Sequence, residues 1–275
     1  MTPTRWRTAL ASVLIAATPL IGAAPASAAC AADSDCDLDR RVALADAYLA
    51  ERPGTVGYVL RDRQTGYVHR NAHAADPVWT ASTIKLAMVD DLLVRNRSGA
   101  IALTAADRQL MAAMLHSSDD TAADTLWSRY GGADHRTFNA DFTVLGLTGF
   151  RPQPGYSSVY PYWGFQKATP EDLDRLMTFT LTALDPADTA DVVGALQRVA
   201  PNQQWGVWGA GPRLAPGNKD GWSLEDSGWV TNSVGFAGPQ QRYTLAVMND
   251  LGSAGGYDDG AATTTHLSEV LLAGR

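Results

Sequence analysis

Lysine is scarce in this chain: Lys85, Lys167 and Lys219 are the only three among 22 lysines and arginines. No basic cluster exists to track a phosphate backbone, and the formal charge of −7 argues against nucleic acid as a partner. Cysteine is nearly absent. Cys30 and Cys36 are the only two, placed to close a small disulfide loop in an oxidising compartment. A lipid anchor on Cys30 is the rival, disfavoured because Ser27-Ala28-Ala29 lacks the larger aliphatic residue expected in a lipoprotein signal. Long apolar runs are missing after the N-terminus, so no membrane-spanning segment is expected. The one early run, Ala9 to Ile21, is broken by Pro19, follows Arg5 and Arg7, and leads to the small-residue site Ala26-Ser27-Ala28. Residues 1–29 therefore read as a secretory signal, with the remainder secreted. Its removal takes two arginines and moves the formal charge from −7 to −9. Metal-ligand spacing is lacking too: His69 and His73 straddle a strand end with no third ligand nearby, so no metal site is expected, and no cofactor.

What is present is a globular composition, 45% hydrophobic, in a chain of 275 residues without internal repeats. Residues 30–40 are polar and acidic and read as a flexible lead-in, leaving 41–275 as one folded unit. Leu38 to Ala50 reads as a helix stopped by Arg52-Pro53-Gly54, and Thr55 to Leu60 with Gly66 to His69 as a hairpin. A helical middle follows: residues 82–97, 104–116 capped by Thr104, 121–130 ended by Gly131-Gly132, 133–145, a helix opened by Thr169-Pro170, and 186–199. Strand patterns return at 227–236 and 243–248, before a last helix near 259–272. Gly209 to Gly217 reads as a turn region. Strands at both ends with helices between predict an α+β fold, an antiparallel sheet built from both chain ends with an inserted helical lobe.

Thr80-Ala81-Ser82-Thr83-Ile84-Lys85 stands at the head of an apolar helix with no consistently polar face. Three residues are nearly one turn, so the Ser82 hydroxyl and Lys85 amine share a face and can meet. Burial favours the neutral amine, and a neutral amine can take a proton from a serine. The plain alternative is a surface lysine beside a capping serine.

Two further stretches, Ser118-Asp119-Asp120 and Lys219-Asp220-Gly221-Trp222, follow in order. Together the three resemble the Ser-x-x-Lys, Ser-Asp-Asn and Lys-Thr-Gly motifs of class A β-lactamases and penicillin-binding proteins. Thr121-Ala122-Ala123, Gly131-Gly132 and Thr169-Pro170 extend the resemblance over about 55–272. It implies acyl transfer to Ser82 from a β-lactam, a related amide or a cell-wall peptide. Lys85 would accept the Ser82 proton, Ser118 would pass a proton to the leaving nitrogen, and Lys219 would supply positive potential. The backbone N–H groups of Ser82 and Trp222 would hold the oxyanion, and Asp120, Asp220, Gly221 and Trp222 would line the substrate site. A monomer with a small-molecule or peptide substrate is expected.

Three departures touch mechanism. Asp120 stands where the family has asparagine, and a carboxylate accepts but does not donate. Asp220 replaces a hydroxyl residue that helps bind a substrate carboxylate, so its charge is expected to repel anionic penicillins. The stretch from Ala133 to Ala168 holds no glutamate, where the family carries the one that activates the deacylating water. Slow deacylation is expected. The loop that replaces it carries Tyr156, Tyr160, Tyr162, Trp163 and Phe165, read as packing the loop against its lobe. The alternative function is a catalytically silent protein that holds a cell-wall fragment in the same cleft, favoured by Asp120 and Asp220.

Overall fold

The computed structural model describes Met1 and residues 33–154 and 161–275. The expected signal segment, Cys30, Tyr156 and Tyr160 lie outside the described residues. The main sheet is built from β1 (Thr55–Asp62), β2 (Val68–Arg70), β6 (Gly217–Glu225), β7 (Gly228–Ala237) and β8 (Tyr243–Gly252), all antiparallel, in the order β2-β1-β8-β7-β6. Both chain ends therefore supply the sheet. Alternation along the strands sorts side chains between two cores. Tyr58, Leu60, Leu245 and Val247 meet Leu38, Val42 and Ala45 of α1 (Asp33–Leu49) and Leu267 and Leu271 of α8 (Tyr257–Leu272). Val230, Val234, Ala246 and Met248 face the helical lobe instead.

That lobe is organised around α2 (Ile84–Arg97), whose residues Ile84 to Leu93 are all buried. A helix enclosed on every side has no consistently polar face, and Lys85, Asp90 and Asp91 are buried among its apolar residues. Around it pack α3 (Ala105–His116), α4 (Asp120–Tyr130), α5 (Thr137–Asp141), α6 (Pro170–Thr182) and α7 (Pro186–Leu196). Thr104 and Thr169 each cap their helix reciprocally with an aspartate, Asp107 and Asp172. Asp107 also takes the Tyr130 hydroxyl and the Arg129 guanidinium. Burial alone would raise its pKa, but the Thr104 and Tyr130 hydrogen bonds and the Arg129 charge more than offset this and hold it near 2.

The structure corrects three expectations and adds an element. Residues 133–145 hold only the short α5, because Gly132 and His135 both take positive φ angles that a continuing helix cannot accommodate. Helix α1 begins at Asp33 and so absorbs most of the expected flexible lead-in. Lys219 to Trp222, outside the expected strands at 227–236 and 243–248, lie within a strand of their own, β6. A small second sheet, with β5 (Gln166–Ala168) between β3 (Val78–Trp79) and β4 (Arg151–Pro152), was not anticipated. Cys36 is disulfide-bonded.

Candidate active site

Ser82 sits in a short 3-10 turn, Ala81–Thr83, immediately ahead of α2. Ala81 has φ 45°, a strained value for a residue with a Cβ, and the surroundings hold the turn in that shape. Thr83 Oγ1 donates to Thr80 O at 2.6 Å, Thr80 N to Gln166 O at 2.9 Å, and Asn232 Nδ2 of β7 to Trp79 O at 2.8 Å. Gly221 of β6 closes the other side. A Cβ there would lie 2.7 Å from Thr83 N and 2.8 Å from Ser82 N, so only glycine lets the edge strand approach the Ser82 backbone.

Ser118 occupies the junction of α3 and α4 with φ 59°, another strained position, and Asp119 caps α4 through Ala122 N at 2.8 Å. The turn brings two lysines to one hydroxyl. Lys219 Nζ donates to Ser118 Oγ at 2.9 Å and to Asp220 O at 2.7 Å. Lys85 Nζ donates to Ser118 O at 2.6 Å, to Ser118 Oγ at 3.3 Å and to Asp120 Oδ1 at 2.5 Å. The expected direct bond between Lys85 and the Ser82 hydroxyl is not formed among the described residues, because the amine turns toward α4. Burial lowers the Lys85 pKa from 10.5, and the carboxylates of Asp120, Asp119 and Asp124 offset only part of this. Burial also lowers Lys219, reinforced by the charge of Lys85. Two ammonium groups beside one hydroxyl repel each other, which favours loss of a proton from the pair.

Of the residues expected in the site, Ser82, Lys85, Ser118, Asp120, Lys219 and Gly221 converge. Asp120 is the open member, its side chain 71% exposed while that of Lys85 is 0% exposed. Asp220 and Trp222 side chains lie on the opposite face of β6, as alternation from Lys219 and Gly221 requires. Trp222 packs against Trp205 and Tyr257 with ring centroids 6.0 and 5.5 Å away. Asp220 is buried near Gly206, and its oxygens accept no well-formed hydrogen bond. Burial pushes its pKa up, with Ser233 and Lys219 offsetting only part. The expectation that Asp220 presents a charge to substrate is therefore corrected: its carboxyl points behind the strand and favours the neutral form.

Trp163 was not foreseen as a site residue. Its ring centre lies 4.6 Å from Lys85 Nζ, its Nε1 donates to Asp124 Oδ1 at 2.7 Å, and Tyr162 OH donates to the same oxygen at 2.7 Å. The signal available was its position in the loop that lacks glutamate.

No established family profile matches the chain. Over 228 residues it is 30% identical to LppW, named as a candidate lipoprotein in Mycobacterium tuberculosis and Mycobacterium bovis, covering 77% of this chain and 68% of the relative. The chain belongs to the LppW family. Its fold is that of class A β-lactamases. A β-lactamase from Xanthomonas campestris superposes with TM-score 0.70 at 18% identity, covering 86% of this chain and 97% of that one. An ancestral class A enzyme gives 0.68 at 18%, covering 86% and 98%, and a β-lactamase from Streptosporangium roseum 0.68 at 18%, covering 85% and 97%. Among the described residues of this LppW relative, no helix is long and apolar enough to cross a membrane.

Proposed function

We propose that this LppW-family protein is a serine hydrolase that transfers an acyl group from a β-lactam or related amide to Ser82 and releases it slowly. The observation that carries the reading is the meeting of Lys85 and Lys219 on Ser118 Oγ, one turn from a half-buried serine in a strained, backbone-clamped turn. Lys85, made easier to deprotonate by burial, takes the Ser82 proton. Ser118 hands a proton to the leaving nitrogen and recovers one from the lysine pair. The backbone N–H of Ser82, with that of Trp222 on the edge strand, stabilises the oxyanion. Export fits both the leader-like N-terminus and the lipoprotein name of the relatives. Intact-protein mass spectrometry after exposure to a penicillin and to a fluorophosphonate tests the reading. A covalent adduct of one equivalent is expected; an unmodified mass with both reagents overturns it.

A further inference from the structure

Resting on the acyl-enzyme reading above, we infer that Trp163 is a positioning residue that prolongs the acyl-enzyme by occupying the space beside Lys85 that a hydrolytic water needs. Hydrolysis of the Ser82 ester requires water oxygen to bond to the acyl carbon. The Ser82 Oγ–C bond then breaks, one water proton passes to a nearby base, and Ser82 Oγ is reprotonated. Of the groups gathered on Ser118, Asp120 stays open to solvent, its side chain 71% exposed, so the flank closed to water is that of Lys85. The three donor directions of Lys85 go to Ser118 O, Ser118 Oγ and Asp120 Oδ1, and the indole covers a further side of the amine. Ser118 Oγ is held by both lysines, and Asp120 by Lys85.

Trp163 itself cannot serve. An indole N–H donates only, and this one is committed to Asp124. The ring is not free to swing aside: Trp163 is 6% exposed, Tyr162 is bonded to the same Asp124 oxygen, and Gln166 Nε2 donates to Tyr162 O at 2.7 Å. Asp124 itself stays exposed, and its Oδ1 takes both donors. The indole face thus lies against the amine where a water would have to stand, so the acyl group waits.

The test follows the mass of the penicilloyl adduct over time after excess penicillin is removed, in wild type and in Trp163→Ala, Trp163→Phe and Trp163→His. Alanine opens the space and should shorten the adduct lifetime by at least about tenfold. Phenylalanine keeps a ring without the N–H and should preserve the lifetime, which a loss of loop anchoring alone would not. Histidine places a proton acceptor on the same flank and should also shorten it, covering the case in which the alanine variant does not fold. Adducts of the Trp163→Ala and Trp163→His variants as durable as the wild-type adduct overturn this inference alone. Failure of the wild type to form any adduct overturns the acyl-enzyme reading with it.

Discussion

Lys219 and Asp220 are neighbours on one strand, equally buried, yet they belong to different environments. The lysine points toward Ser118 and spends its donors on Ser118 Oγ and a backbone carbonyl. The aspartate points to the rear, near Ser233 and Gly206 and on the side of the Trp205, Trp222 and Tyr257 rings, with no well-formed hydrogen bond. A motif read as consecutive letters treats both as site residues. A strand sends them to opposite faces, so one faces the candidate site and the other the interior behind it.

Substituting each in turn breaks or sharpens that contrast. Lys219→Ala should slow acylation by roughly a hundredfold or more, the scale of losing a positioned proton-transfer partner, as measured by stopped-flow or timed mass spectrometry. Asp220→Asn should change acylation by less than about threefold, and should not alter the preference between an anionic β-lactam and its neutral ester. Its effect belongs on stability. Because burial raises the folded-state pKa of Asp220, its ionisation penalises the fold increasingly as pH rises above the unfolded value. Asp220→Asn should therefore melt above wild type in alkaline buffer, with the difference shrinking toward acid. A large acylation defect in this variant would return Asp220 to the cleft.

A subtler comparison sets Asp120 against Asp107. Asp120 is exposed and raises the pKa of Lys85, so acylation should rise with pH as Lys85 loses its proton, below the usual lysine range. Asp120→Asn removes the carboxylate and should move that limb to lower pH; a limb that stays in place would show that Lys85 does not govern it. Asp107 is sealed behind its cap and works on the fold. With its pKa held near 2, against 3.8 unperturbed, its stabilisation is complete above the unfolded value and fades as pH falls toward 2. Melts of Asp107→Asn and wild type should differ most near neutrality and converge in acid.

Much of this was legible in the sequence because it is local. Thr104, Thr169 and Pro170 announce helix starts by capping chemistry, and the apolar run through α2 announces burial. The spacing of Ser82 and Lys85 is likewise local. Strand β6 was hidden because Gly217, Asn218 and Gly221 carry turn-like residues, and what makes them a strand is pairing with β7 and the need for close approach to Ser82. The choice of Lys85 to face Ser118 and Asp120, and of Trp163 to face Lys85, depends on where α4 and the loop are brought by the fold. Aromatic residues in a loop all look alike until one of them meets an amine.

The most direct test of the central claim is peptide mapping of the adduct formed with a penicillin or a fluorophosphonate, run beside Ser82→Ala. A single modified peptide containing Ser82 is expected, with no label on the alanine variant despite an unchanged melting profile. Label on Ser118, or label that persists without the Ser82 hydroxyl, would contradict it.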